Sequence, residues 1–330
     1  MGAMTPFLDD KALRMHRVRN TLHSFLLVGG LGALVGFCTW LIWGAMGVAA
    51  TLVGLGLIYA FAPRLPPETI LRFYRARRLD PRLDNQAQQL LHVVDILADR
   101  AELPVPPRVY LIPSMTLNAF AAGTPDKAVI AVTEGLRRRL NLYELAGVLA
   151  HEISHVRNND LAIMGIADIL TRCMQWLAYV AVFVAVLNLP AFLLGDAEVP
   201  LIGLVLLYLA PTAGSLIQLA LSRTREYDAD LEAVSLTGNP GWLISALRKL
   251  DRYQGRFWED LRLPVPARRM PQPSMLRSHP RTEDRIKRLE ALTERPLLPE
   301  IDLGPSPTDP PPGQGPVAMR PRYRWTGVWF

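Results

Sequence analysis

His151 and His155 lie four residues apart, with Glu152 directly after the first, in the stretch ELAGVLAHEISHVRNNDL (144–161). On a helix this spacing puts both imidazoles on one face, one turn apart, where two ring nitrogens can converge on a metal at about 2.0–2.1 Å. Glu152 projects beside them, where a carboxylate can hold and deprotonate a water polarised by that metal. A catalytic zinc takes three protein ligands and keeps a fourth position open. Asp160 is near in sequence, but it lacks the glycine turn that folds the chain back in H-E-x-x-H-x-x-G-x-x-H enzymes. In SRTREYDAD (222–230), Glu226 and Asp230 share a helical face at i, i+4. Glu226 can then reach the metal while Asp230 orients a ligand imidazole from behind. The same two acids also fit a solvated face salted by Arg223 and Arg225, and spacing alone leaves both readings open.

Several elements must position these residues. LDNQAQQLLHVVDILADRAEL, from Leu83, carries Leu90, Val93, Val94 and Leu97 at helical spacing and predicts an amphipathic helix. RVYLI (108–112), LNAFAA (117–122) and AVIAV (128–132) are short apolar runs split by proline and glycine turns, which predicts a small sheet. Thr133, Glu134 and Gly135 open a short basic helix, and Asn141 caps the helix that carries the histidines. SRTREYDADLEAVSL and WLISALRKLDRY read as helices joined by the turn TGNPG (237–241), and the second half of SHPRTEDRIKRLEAL reads as another.

These elements are interleaved with apolar blocks. No charged residue occurs from Phe25 to Ala62, a run longer than the roughly 20 residues that one bilayer crossing needs. Two spans fit better, turning near Gly44 and Gly47, with Trp40, Trp43 and Tyr59 at the interfaces. A cleaved signal peptide is disfavoured by the length of the run and by Pro63 after the AFA at 60–62. Cys173 to Leu194 and Val199 to Ser222 are two more apolar runs, parted by GDAE (195–198). Lys11, Arg14, Arg17 and Arg19 precede the first span, and Arg64, Arg72, Arg75, Arg77 and Arg78 follow the second. The loop with Asp196 and Glu198 has no base, so both termini and the active site are expected on the cytoplasmic side. The formal charge of +6 is then mostly juxtamembrane arginine facing anionic lipid, and no nucleic-acid partner is expected. Cys38 and Cys173 both fall in apolar runs and offer neither a disulfide framework nor a thiolate metal site.

Four motifs occur in order: N-A-F-A-x-G (118–123), H-E-I-S-H-V-x-N-x-D (151–160), S-R-x-R-E-Y-x-A-D (222–230), and S-H-P followed by R-I-x-R-L (285–289). Together they resemble the HtpX-like membrane zinc metallopeptidases, relatives of the eukaryotic CAAX prenyl proteases, over about residues 10 to 293. The resemblance implies one zinc held by His151, His155 and Glu226, with Asp230 behind a ligand. It implies that Asn118, Ala119, Phe120 and Ala121 form a sheet edge that pairs with extended substrate. It also implies that His279 and Arg285 line the active site, where they would stabilise the oxyanion. Ser154 stands where glycine is frequent in the family, and the tail after 295 has no counterpart in its shorter members.

The expected architecture is an α-helical membrane protein with four transmembrane helices and a mixed α+β zincin-like catalytic domain, its small β-sheet beside the active-site helix. The expected segments are an N-terminal membrane hairpin over 1–62, with spans about 24–42 and 45–62, and a cytoplasmic catalytic region over 63–172. A second membrane hairpin covers 173–221, with spans 173–194 and 199–221. The remainder of the catalytic region follows over 222–295, and a Pro-rich tail over 296–330. That tail ends in RPRYRWTGVWF, whose alternating arginines and aromatics suit an added strand, a bilayer contact or plain disorder. The expected function is a zinc endopeptidase of the bacterial inner membrane that cleaves misfolded or damaged membrane proteins. Two alternatives remain at this point: maturation of one lipidated or peptide substrate, and a non-proteolytic zinc scaffold.

Overall fold

The structure is a computed structural model that describes residues 10–61, 71–72, 74–82, 84–194, 201–260 and 282–293, with positions 68, 299–301 and 303. His279, the GDAE loop at 195–198, the proline-broken 264–273 and almost all of the tail lie outside the described residues. Helix α1 (Asp10–Phe61) is two arms meeting at Gly44, whose φ of 59° is one that glycine adopts without penalty. The arms fold back on each other: Thr39 and Thr51, twelve residues apart, join hydroxyls at 2.7 Å, where a straight helix would hold them roughly 18 Å apart. A side chain at Gly47 would strike the Thr39 carbonyl oxygen at 2.2 Å, so the close approach requires glycine there as well.

Among the described residues, three helices carry stretches long and apolar enough to cross a membrane: Ser24–Leu41 within α1, Asp160–Leu187 and Leu201–Thr237. The returning arm, Trp43–Leu57, is a shorter apolar run. Leu31, Val35 and Cys38 of α1 pack with Ala167, Leu170 and Met174 of α5 (Asp160–Leu187) and with Leu204 and Leu207 of α7 (Leu201–Thr237). A short helix, α6 (Leu189–Leu194), follows α5. Outward, Trp40, Trp43, Trp176, Tyr179 and Tyr208 are exposed, as side chains facing lipid would be.

Two helices extend beyond the apolar runs they carry. The helix of the run that begins at Cys173 starts at Asp160, and the helix of the run that begins at Val199 continues without a break to Thr237. SRTREYDADLEAVSL is therefore no separate helix but the continuation of an apolar one. The polarity change at Arg223 moves the helix from one environment to another without ending it, because nothing there breaks backbone hydrogen bonding.

The remaining elements form a sheet with helices against it. Its order is β1 (Arg77–Arg78), β2 (Arg108–Ile112), β4 (Val129–Thr133), β3 (Ala119–Ala122), with β2 and β4 parallel and the outer pairs antiparallel. Strand β4 is buried throughout and central, and β3 is an edge. The three expected strands are present; β1, made of two arginines, has no apolar signature to reveal it. Helix α2 (Asn85–Arg100) buries Leu90, Val93, Val94 and Leu97, and Asp84 caps it by accepting from Ala87 N. Thr133 caps α3 (Glu134–Arg139), whose Arg137 reaches back to Asp84 at 2.7 Å. Helix α4 (Leu142–Arg157) carries the two histidines, and α8 (Pro240–Asp260) and α9 (Thr282–Thr293) complete the domain. Gly238, at φ 79°, terminates α7, and the Asn239 side chain caps the start of α8 by accepting from Gly241 N.

Helices α4 and α8 touch at Gly147, where an added Cβ would lie 2.8 Å from Leu243 N, a backbone atom that cannot swing aside. Gly147→Ala should therefore destabilise the protein by about 1–3 kcal/mol, although alanine is the better helix former by up to about 1 kcal/mol. Thermal unfolding of the detergent-solubilised protein checks the sign: an unchanged or raised midpoint contradicts this packing.

Candidate active site

The site is built at the crossing of α4 and α7. Asn141 and Glu144 form a reciprocal capping box at the start of α4, and the Glu144 carboxylate also accepts from Ser245 Oγ and Lys249 Nζ of α8. The helix is thus fixed at its first turn, roughly 10 Å before the first histidine. At its far end Arg157 and Asn158 both donate to Glu232 of α7. Between these anchors Ser154, fully buried, donates to the His151 carbonyl at 2.7 Å and sits 3.4 Å from the Ala229 carbonyl of α7. A small side chain fits at that position.

This crossing brings the expected ligands together. His151 Nε2 and His155 Nε2 are 3.3 Å apart, His151 Nε2 is 3.4 Å from Glu226 Oε2, and His155 Nε2 is 3.7 Å from Glu226 Oε1. For metal–ligand bonds of about 2.05 Å, the edge of a tetrahedron is about 3.3 Å, so the three donors already stand close to the separations that one ion requires. His151, His155 and Glu226 form the described cluster that can hold a metal ion. Each imidazole uses its other nitrogen elsewhere: His151 Nδ1 is 3.1 Å from Asp230 Oδ1 and His155 Nδ1 is 2.9 Å from Asp160 Oδ2. Those contacts leave both Nε2 atoms facing the cluster.

Each carboxylate is in turn held by an arginine. Arg285 of α9 forks onto Asp230 through Nε at 2.8 Å and Nη2 at 2.6 Å, and its Nη1 is 3.4 Å from Glu226. Its charge is raised further out of titration range: burial opposes this, but the Asp230 and Glu226 carboxylates outweigh it. Arg225 of α7 meets Asp160 at 2.8 Å. Sequence reasoning missed this second chain, having set Asp160 aside as a ligand and given Arg225 no role beyond the salt of a solvated face, one of two readings left open; both are buried. An i, i+5 spacing is no helical neighbour signal, and only the fold turns Asp160 back toward the histidine. Arg285 was expected at the oxyanion; its contacts in this structure run to Asp230, behind His151, and to Glu226.

Glu152 accepts a hydrogen bond from the backbone N–H of Ala121, in edge strand β3, at 3.1 Å. Asn118 lies just before that strand, with its carbonyl accepting from Thr133 N at 3.0 Å and its N–H directed to Thr133 Oγ1. Phe120 and Ala131 are paired two residues on, so Ala119 and Ala121 present their backbone groups to the open side. Glu152 therefore stands against the edge of the sheet, on the side that makes no ladder bonds to β4.

A cluster able to hold a metal, beside a glutamate and framed by long apolar helices, is the build of a peptide-cleaving metal enzyme anchored in a membrane: the chain is a membrane metalloprotease. It belongs to Peptidase family M48, whose model matches residues 84–293. It is 37% identical over 282 residues to "Protease HtpX homolog" of Desulfatibacillum aliphaticivorans, covering 82% of this chain and 89% of that protein. It is 36% identical to "Protease HtpX homolog" of Campylobacter hominis, with 83% and 98% covered. "Protease HtpX" of Legionella pneumophila (strain Lens) is 33% identical, with 83% and 99% covered. Among solved structures, the crystal structure of S. mikatae Ste24p superposes with a TM-score of 0.46 at 21% identity, covering 84% of this chain and 66% of that one.

The electrostatics predict how metal uptake depends on pH. Burial and the Arg285 charge oppose protonation of His151, but its hydrogen bonds to Asp230 and Glu226, with the Glu226 charge, raise its pKa to about 9 in the metal-free protein. His155 is raised too: burial opposes this, and the Asp160 hydrogen bond with the carboxylate charges prevails. A proton must leave before Nε2 can ligate, so apparent zinc affinity should rise with pH from 7 to about 9 and weaken below. Calorimetric titration of metal-free protein at pH 7, in two buffers of different ionisation enthalpy, should register about one or more protons released per zinc. Uptake without proton release contradicts this account.

Proposed function

We propose that the protein is a zinc endopeptidase of the bacterial inner membrane that cleaves misfolded or damaged membrane proteins at the cytoplasmic face, as part of a stress response. The observation that carries the reading is the convergence of two Nε2 atoms and the Glu226 carboxylate beside a glutamate that touches an open sheet edge. A purely structural metal site has no use for a base next to an open coordination position. The all-nitrogen-and-oxygen donor set suits zinc, and when bound zinc supplies Lewis-acid polarisation of an oxygen ligand.

The chain's own groups supply the rest. Glu152 takes a proton from the attacking water as the oxygen bonds to the scissile carbonyl carbon, then delivers it to the amide nitrogen as the C–N bond breaks. The edge formed by Asn118, Ala119, Phe120 and Ala121 receives extended substrate through backbone hydrogen bonds, a mode that tolerates many sequences and suits unfolded segments. Asp230 fixes the tautomer of His151, and Arg285 holds Asp230 in place. His279 is assigned the oxyanion. Orientation rests on arginine: the bases at the start of α1 and between residues 64 and 78 support a cytoplasmic catalytic region, and a reading of four spans, with Trp43–Leu57 as the second, is consistent with both termini on that side.

Self-cleavage of the purified protein in detergent with zinc tests the reading. The native chain should fragment and a chelator should stop it, while Glu152→Ala at matched zinc content should fragment at least about 100-fold more slowly. Equal fragmentation of the two proteins rules out Glu152 as the base, and a chelator-insensitive reaction rules out the metal.

A further inference from the structure

We propose that Asp160 and Arg225 are positioning residues for the metal, acting through His155, and that they tie the metal site to the membrane helices. Asp160 is the first residue of α5 and Arg225 lies on α7, one residue before Glu226. Asp160 is 1% exposed and Arg225 5% exposed. The carboxylate divides its oxygens, with Oδ2 2.9 Å from His155 Nδ1 and Oδ1 2.8 Å from an Arg225 guanidinium nitrogen. A buried carboxylate persists only when paired and hydrogen-bonded, and here both partners point to one purpose, the placement of His155.

Two simpler roles do not fit the geometry. Asp160 is no ligand, because it sits on Nδ1 and the ring carries Nε2 away from it toward His151 and Glu226. An acid in the first turn of a helix also steadies the helix dipole, but both Asp160 oxygens are engaged by side chains from other elements. The chain is bent to deliver it. Asn159, in the left-handed region at φ 55°, makes no side-chain cap bond to α5 and turns the backbone between α4 and α5. Asparagine tolerates that conformation better than most residues, which allows Asp160 to fold back onto the histidine five positions earlier.

The consequence is that one turn of α7 acts on the metal twice. Glu226 reaches the cluster directly, while Arg225 acts through Asp160 and His155. A shift of α7 against α4 would move one ligand and release the orientation of another together. His151 has the corresponding chain of Asp230 and Arg285, but Arg285 comes from α9. Only the His155 chain is built from the two long apolar helices.

The proposal rests on the metal site described above, and its test reads metal binding rather than peptide cleavage. Zinc affinity of the full-length protein in detergent is measured by competition with a chelator, alongside circular dichroism and thermal unfolding. Asp160→Ala should lower affinity by about 10–100-fold with helicity retained. Asp160→Asn, whose amide oxygen still accepts from Nδ1–H, should recover most of that loss. Arg225→Gln should lower affinity by about tenfold on its own and add little to Asp160→Ala, because the two act in series. A merely structural pair would lower the unfolding midpoint without this pattern in zinc affinity. His155→Ala is the control: if it leaves affinity unchanged, the metal site itself is wrong. If His155→Ala loses zinc while Asp160→Asn, Asp160→Ala and Arg225→Gln all stay within threefold of native, the positioning role is overturned. Should Asp160→Ala not fold, Arg225→Gln decides alone: within threefold of native it overturns the proposal.

Discussion

The contact between α4 and α7 governs everything else in the site. His151 and His155 come from one helix and Glu226 from the other, so no metal can be held unless the two backbones approach closely and at a fixed register. Ser154 against Ala229 sets the approach, since both are small and neither leaves solvent between the helices. Arg157 and Asn158 clamp Glu232 about one turn along, which sets the register. Side chains longer by a few atoms at this crossing would separate the three donors beyond the tetrahedral edge of about 3.3 Å. The capping box and α8 hold α4 from one end, and the sheet supports it laterally where Ala121 meets Glu152.

Helix α7 gives this constraint its particular form. An ordinary soluble metallopeptidase can place its third ligand on a helix within the same compact core, whereas here the ligand helix is the continuation of a long apolar one. Leu204 and Leu207 pack among the apolar helices and Ala233 and Val234 pack in the core of the catalytic region, on a single uninterrupted rod. The position of Glu226 relative to the apolar half of that helix is consequently fixed by covalent geometry rather than by a linker. The first acid after Leu221 along that rod is Glu226, so the cluster that can hold a metal lies where the helix ceases to be apolar.

Much of this was legible in the residues, for reasons that differ by element. The H-E-x-x-H helix was readable because two helical periods and a cap coincide on it, and the strands 108–112 and 128–132 because apolar runs are bounded by proline and glycine. Glu226 and Asp230 needed more than spacing: an i, i+4 acid pair is common on solvated faces, and resemblance rather than periodicity singled them out. The Asp160–Arg225 pair was illegible because a buried charge pair looks the same in sequence as an exposed one. Strand β1 was illegible because backbone pairing alone makes two arginines a strand. The break expected near Ser222 did not occur, since a change of polarity alters what surrounds a helix but not its hydrogen bonds.

The most direct test of the central claim is X-ray absorption at the zinc edge of the zinc-loaded, full-length protein. The account predicts one zinc per chain with only nitrogen and oxygen neighbours at about 2.0–2.2 Å, two of them imidazole, and loss of one imidazole contribution in His155→Ala. A sulfur shell near 2.3 Å, or an unchanged imidazole count in that variant, would place the metal elsewhere and contradict the account.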